Sequence, residues 1–279
     1  MPTLAFWNLC NNVTAQSVTA FAHECNVDVL VLAENSNTAN DLVRTLNMNS
    51  KRLFFADSGL PGRLTILTRF RPNASCLIRD SNGISIRHYQ LPLGLSFLVV
   101  AAHLGSKLWK SNDDQVQTCS RVARYICEAE ARVGHSRTIV IGDLNMNPFE
   151  AGVVGSEGLH AVMDRRIASQ GSRRVQGEEC KFFYNPMWST FGDGDSTPPG
   201  TYFYNSGGEV NFFWNVFDQI LVRPSLLSFL DRDAVRVVVK LNNGSLLDSN
   251  GVPDKRRMSD HLPIVCRLNE LLEQENDQH

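Results

Sequence analysis

Short apolar runs with almost no polar interruption recur along this chain, and they limit what it can fold into more than any other feature. Leu4 to Trp7, Val27 to Ala33 (VDVLVLA), Leu95 to Ala102 (LSFLVVAA) and Thr138 to Gly142 (TIVIG) are strand-length and nearly continuous in hydrophobic residues. A strand that is apolar at successive positions must be covered on both faces, so these runs belong inside a layered structure. Leu64 to Arg69, alternating Ser85 to Gln90, Phe217 to Arg223, Val235 to Leu241 and Ile264 to Leu268 read as further strands. Helical spacing of apolar residues appears at Ala15 to Glu24, at Thr38 to Leu46 and above all at Asp113 to Arg132. In the last of these, Val116, Cys119, Val122, Ala123, Ile126 and Cys127 form one stripe. Buried and alternating strands with helices between them predict an α/β (α+β) fold of two packed mixed sheets covered by helices.

The chain has 279 residues with 43% hydrophobic and 20% charged content, enough for one large core and far from a disordered profile. A single domain over residues 1–268 is expected, followed by an acidic tail at 269–279. The start MPTLAFWNLCNN has no basic or sustained apolar stretch, and no later run suffices to span a bilayer, so neither a signal peptide nor a membrane span is expected. Seven scattered cysteines without a CxxC pair argue against a disulfide framework and a structural zinc site, and place the expectation in the cytoplasm. A net charge of -2 gives no bulk attraction to nucleic acid. Arg165, Arg166, Arg173, Arg174 and Lys181 are the densest cations, but Glu178 and Glu179 dilute them, and a solvated loop is the expectation there. After Pro148 the chain turns to Gly, Pro, Asp and Ser punctuation with few regular runs.

Polar residues recur at the ends of the buried runs. Asn8 follows AFW, Glu34 follows VLVLA, His103 follows VVAA, Asp143 and Asn145 follow IVIG, Asp218 opens DQILV, and Asp260 and His261 precede LPIVC. Singly, each has an ordinary explanation as a turn former, a helix cap or a core histidine. Together they do not, because a buried carboxylate costs several kcal/mol unless paired or bound to a cation. Carboxylate ligands without cysteine suit a hard ion, Mg²⁺ or Mn²⁺. Such an ion beside histidines suits chemistry in which charge builds on a phosphoryl group.

These residues, in this order, resemble the endonuclease/exonuclease/phosphatase superfamily, which includes pancreatic deoxyribonuclease, abasic-site endonucleases, neutral sphingomyelinases, inositol polyphosphate 5-phosphatases and deadenylases. The resemblance is carried by WN at Trp7 and Asn8, Glu34, HL at His103, GDLN at Gly142 to Asn145, DQILV from Asp218, and SDHLP from Ser259 to Pro263. It implies a four-layered sandwich of two mixed sheets packed face to face and flanked by helices. It also implies a metal held by Glu34 with Asn8 and Asp260, and a water or phosphate positioned by Asp143 and Asn145. His261, oriented by Asp218, would contact and protonate the phosphoryl oxygens, with His103 as a second phosphate ligand or acid. Deoxyribonuclease-like members carry a Glu before the strand that is RLTILTR here, supporting the first histidine; this chain has Gly62 there.

The resemblance fixes the reaction class and leaves the substrate open. No anchor or basic amphipathic helix supports a sphingomyelinase, and the Trp-Cys-Asp-Arg stretch of the inositol phosphatases is missing. A nuclease is the leading expectation, with Arg63, Lys107 and Trp214 as substrate contacts. Trp188, Phe191, Tyr202, Phe203, Tyr204, Phe212 and Phe213 form the rest of an aromatic series of which some could stack on bases, while most are expected to pack in the core. A phosphatase or diesterase of a small phosphorylated molecule is the alternative, and a non-catalytic binding module on the same fold is the remote one. The expected partner is nucleic acid or another phosphate ester, with no membrane and no obligate protein.

Overall fold

The computed structural model describes residues 2–48, 50–57, 63–91, 96–192 and 198–269. Gly62 and all but the first residue of the acidic tail lie outside the described residues.

The strands assemble into two large mixed sheets. The six-stranded sheet has the order Leu230–Val237, Ile264–Leu268, Thr3–Asn8, Val29–Ala33, Leu64–Thr68, Phe55–Ala56. Within it, Thr3–Asn8 runs parallel to Val29–Ala33 and antiparallel to Ile264–Leu268. The seven-stranded sheet has the order Ser75–Ser81, Ile84–Tyr89, Phe97–His103, Thr138–Asp143, Asp218–Val222, Phe183–Tyr184, Ala161–Val162. There, Thr138–Asp143 lies parallel to Phe97–His103 and antiparallel to Asp218–Val222.

Side chains alternate across a strand, and that parity sorts the core. Val99, Ala101, Ile139, Ile141, Ile220 and Val222 join a cluster shared with Leu4, Phe6 and Val31 of the other sheet. Their neighbours Leu98, Val100, Ala102, Val140 and Leu221 turn outward onto Cys119, Val122 and Ile126 of the helix Asn112–Val133. On the opposite side Trp7 meets Phe21 of the helix Ala15–Glu24 edge-on at 5.4 Å, with Ala39–Asn47 alongside. The layers are therefore helix, sheet, sheet, helix. The long helix begins with a capping box, Ser111 Oγ accepting from the Asp114 N–H and Asp114 Oδ2 from the Ser111 N–H, and ends at Gly134 with φ 75°.

The departures from the sequence reading have local causes. Cys127 of the expected stripe is exposed, because the buried face runs on through Ala129 and Glu130 instead. Glu130 is buried, paired with Arg223 at 2.8 Å and accepting from Thr138 Oγ1 at 2.9 Å. The strand expected at Val235 to Leu241 starts earlier, as Leu230–Val237 with a register shift, and stops before a small separate hairpin. Arg173 and Arg174 lie in a hairpin, Ser172–Val175 against Glu178–Lys181, not in a loop. Its turn residues Gln176 and Gly177 both have positive φ, the turn that matches strand twist. Arg165 and Arg166 open a single helical turn capped by Asp164. All seven cysteines are free thiols, and among the described residues no helix is long and apolar enough to cross a membrane.

Candidate active site

Strand register places the polar strand ends side by side. His103 pairs with Asp143 in the parallel ladder, and Asp143 pairs with Asp218 in the antiparallel one, so the three form a single rung. They share the parity of Val99, Ile141 and Ile220, and so point into the seam between the sheets. Asn8 shares the parity of Leu4 and Phe6 and points into the same seam from the other side, where its Nδ2 donates to Asp143 Oδ2 at 3.1 Å. Gly142 is needed for this rung: its φ is 156°, and a Cβ there would lie 1.9 Å from the Ala102 carbonyl oxygen.

Glu34 stands just beyond its strand with φ 45°, a left-handed conformation costly for a side-chain-bearing residue and typical of functional positions. Its Oε1 lies 3.4 Å from both His103 Nε2 and Asn8 Nδ2. The hydrogen bond from His103 holds its carboxyl below the ordinary range, against the opposing effect of burial. Asn145, also left-handed at φ 51°, donates its backbone N–H to Asp143 Oδ1 at 2.8 Å and its Nδ2 to the Leu104 carbonyl at 3.1 Å. Asp143 is almost fully buried; burial pushes its carboxyl above the usual range and Asp218 adds to the effect, while His261 and His103 oppose it.

His261 enters from the first sheet and reaches the second. Ser259 Oγ donates to the Asn8 carbonyl at 2.6 Å and accepts from the His261 N–H at 3.0 Å, while Trp7 Nε1 donates to the His261 carbonyl at 3.0 Å. The ring is thereby held with Nδ1–H donating to Asp218 Oδ2 at 2.8 Å and Nε2 turned toward Asp143 Oδ2, 3.9 Å away. Burial alone would lower the imidazole, but the Asp218 and Asp143 charges outweigh it and raise it to about 10. Tyr202 covers the ring at 4.6 Å between centroids. Thr201 braces the partner, its Oγ1 accepting from the Asp218 N–H at 3.1 Å.

His103 is less tightly held. Its Nδ1 is buried and has no hydrogen-bond partner among the described residues.

The donor set fits a hard cation. Glu34 turns a carboxylate oxygen toward the Asn8 amide and the His103 Nε2, and Asp143 Oδ2 faces the same two groups. Asp260 lines the same cleft. Asn8 itself faces the carboxylates with nitrogen, because its Oδ1 accepts from the Cys10 N–H at 3.1 Å, so its oxygen reaches a cation only after the amide rotates. Asp143, Asp218 and His261 also have converging donor atoms, within 4.8 Å of one another. That trio is a poor cage, since His261 Nδ1 is committed to Asp218.

The cleft has a volume of about 410 Å³ and brings together Asn8, Glu34, His103, Asp143, Asn145, Asp260 and His261, with Asp218 buried behind His261. Lys107 stands at its lip, paired with Glu150 and 5.7 Å over the Phe217 ring. Two expected contacts fall elsewhere. Arg63 precedes the strand beside Glu34, but its side chain is exposed and outside the cleft lining. Trp214 packs against Phe203 at 5.4 Å and against the core. The cause is parity: in the hairpin Tyr202–Tyr204 with Phe213–Asn215, Tyr202, Tyr204 and Asn215 face the cleft, so Phe203 and Trp214 face away. Of the aromatic series, Tyr202, Tyr204 and Phe212 line the cleft, whereas Trp188 and Phe191 cluster around Phe149. Sequence reasoning missed Asn215, which looks like a turn residue between aromatics, and Thr201, whose supporting role has no sequence signal.

No family model and no curated protein matches this sequence. Solved structures do match its fold. TDP2 of D. rerio, complexed with a single-strand DNA product, superposes with TM-score 0.57 at 18% identity over 96% of this chain and 98% of that one. An endonuclease/exonuclease/phosphatase family protein from Leptotrichia buccalis gives 0.56 at 14%, covering 96% and 100%. An AP endonuclease from Archaeoglobus fulgidus gives 0.53 at 15%, covering 96% and 99%. The two sheets, their flanking helices and these likenesses make this chain a protein with the endonuclease/exonuclease/phosphatase fold.

Proposed function

We propose that this chain is a divalent-metal-dependent phosphodiesterase acting on nucleic acid. The observation that carries the proposal is the buried Asp218–His261 pair, whose Nε2 faces a cleft where Glu34 and Asp143 converge. Glu34 and Asp260 would hold Mg²⁺ or Mn²⁺, which when bound supplies positive charge to a phosphoryl oxygen. Asp143, held by Asn145 and made more basic by burial, takes the proton of an attacking water through Oδ2. As the bond from water to phosphorus forms and the bond from phosphorus to the ester oxygen breaks, the leaving oxygen takes a proton from solvent, and His261 donates a hydrogen bond from Nε2 to the phosphoryl group, with Asp218 stabilising its charge. His103 adds a second nitrogen to the same group. Likeness in fold to an AP endonuclease and to a DNA-bound TDP2 supports a nucleic acid substrate.

The direct test is hydrolysis of bis(p-nitrophenyl) phosphate. Turnover is expected with Mn²⁺, to vanish with EDTA and to return with excess metal. Absence of turnover on this diester and on labelled DNA and RNA, whatever the metal, would overturn the proposal.

A polymeric substrate is favoured over a small phosphorylated molecule by what adjoins the cleft. A groove of about 870 Å³ shares Tyr204 and Asp260 with it and is flanked by Lys255, Arg256 and Arg257. Asp248 and Asp254 also line the groove, but each accepts turn N–H groups, from Asn250 and from Arg256 respectively. All three cations are exposed, Arg257 standing 3.8 Å from Asp254. Arg165, Arg166, Arg173 and Arg174 line neither cavity's reaction side, and Arg173 is engaged with His160 at 2.9 Å. Replacing Lys255, Arg256 and Arg257 together by Ala is expected to flatten the salt dependence of single-stranded oligonucleotide binding by about 2 in log–log slope, at ~0.7 per lost phosphate contact. An unchanged slope in an anisotropy titration would remove the groove from the substrate path.

A further inference from the structure

We infer that the Asn215 side-chain amide is a fixed hydrogen-bond donor to the phosphoryl oxygens of the substrate, an inference that rests on the phosphodiesterase reading above. The orientation follows from one unambiguous donor. The Val216 backbone N–H donates to the Asn147 side chain at 2.9 Å, so the atom it meets is Oδ1. The other end of that amide, 2.9 Å from Asn215, is therefore Nδ2, a donor, and the Asn215 atom it meets must be Oδ1. Asn215 is left with its NH₂ group on the far side. No hydrogen bond is made by that nitrogen among the described residues, and the side chain, only 9% exposed, lines the catalytic cleft.

The surroundings keep the amide in place. Asn147 is fully buried, so its own amide has no room to exchange partners with water. Asn215 pairs with Tyr202 in the hairpin, and Tyr202 covers His261. The Asn215 carbonyl accepts from the Thr201 N–H at 2.9 Å, and Thr201 Oγ1 holds Asp218. Gly200 permits this close approach, since a Cβ there would lie 2.6 Å from the Asn215 carbonyl oxygen. The donor is thus one link from both members of the Asp218–His261 pair. A neutral, pre-aimed N–H in a half-closed site stabilises charge on a phosphoryl oxygen without reorganisation as the reaction proceeds. It also distinguishes its ligand, because an oxygen acceptor is received and a cation is not.

The experiment has two arms. Kinetics on bis(p-nitrophenyl) phosphate with Mn²⁺ compare wild type with Asn215→Ala, Asn215→Asp, Asn215→Ser and Asn147→Asp. Asn215→Ala is expected to lower kcat about 100-fold, and Asn215→Asp further, because an acceptor replaces the donor. Asn215→Ser, whose hydroxyl still donates, retains more activity than Asn215→Ala. The carboxylate introduced by Asn147→Asp accepts from both Val216 and Asn215, turns the Asn215 oxygen to the cleft, and reproduces the loss without removing Asn215. Thermal midpoints check that each variant is folded. The second arm measures inorganic phosphate binding to metal-free protein by its thermal shift, which needs no turnover. A shift in wild type that is lost in Asn215→Ala supports the inference even if the protein hydrolyses nothing. Equal shifts in the two proteins, no shift in wild type, a kcat of Asn215→Ala within threefold of wild type, or a loss confined to substrates carrying nucleobases would overturn it.

Discussion

His261→Ala is expected to lower kcat on a phosphodiester by about 10²–10³-fold, the usual cost of losing one donor aimed at developing charge. KM should change little, since the imidazolium acts on charge that builds during the reaction and not on the resting ester. Asp218→Asn should also be severe. An amide can still accept from Nδ1–H across the present 2.8 Å and hold the ring, but it cannot stabilise the proton that keeps the ring charged. Removing Asp218's charge leaves burial to push the imidazole down from about 10, so the fraction in the donating form falls and the alkaline limb of the pH–rate profile moves to lower pH. Because the two residues act as one unit, the double variant should lose little beyond His261→Ala alone. A double loss equal to the product of the single losses would show that they act independently, and the pair would have no special role.

Glu34→Gln is expected to weaken Mn²⁺ binding by at least about 100-fold, since even residues that merely support a metal ligand cost 10–100-fold when changed. The substitution keeps the side-chain volume and an oxygen for the Asn8 amide, and the side chain is 39% exposed, so the fold should be unaffected. Calorimetric titration with Mn²⁺ reads the affinity directly, and thermal unfolding in EDTA checks the fold. An unchanged affinity would exclude Glu34 from the metal site and leave Asp143 and Asp260 to account for any cation.

The convergence of these polar residues was largely legible in the sequence because they break a rule that strands otherwise obey. Asn8, Glu34, His103, Asp143 and Asp218 stand out as polar groups at the ends of strands buried on both faces, and register then brings them together. What the sequence hid depends on which way a side chain turns. Trp214 and Asn215 are neighbours, and nothing local tells which of them faces the cleft. The rotamer of Asn8 is likewise invisible in the sequence: a single backbone donor, the Cys10 N–H, holds its Oδ1. Regular structure between Pro148 and Asn215 was hidden because its strands are two to four residues long, too short to show a period, as at Ala161–Val162 and Phe183–Tyr184. The edge strand Ser75–Ser81 escaped notice for the opposite reason: at the border of a sheet it has little apolar content to reveal it.

The seam between the sheets carries a consequence for how this protein fails. Asn8 is borne by one sheet and Asp143 by the other, and His261 is moored to Trp7 and Ser259 on the first while its ring is fastened to Asp218 on the second. The backbone ladders lie within each sheet, so a slip of one sheet against the other would leave them intact. A slip smaller than a covalent bond length would lengthen the Asn8–Asp143 and His261–Asp218 contacts past useful reach. If the proposed phosphodiesterase activity holds, its rate is a gauge of alignment: warming, pressure or a poorly filled seam would silence it while both halves still register as folded.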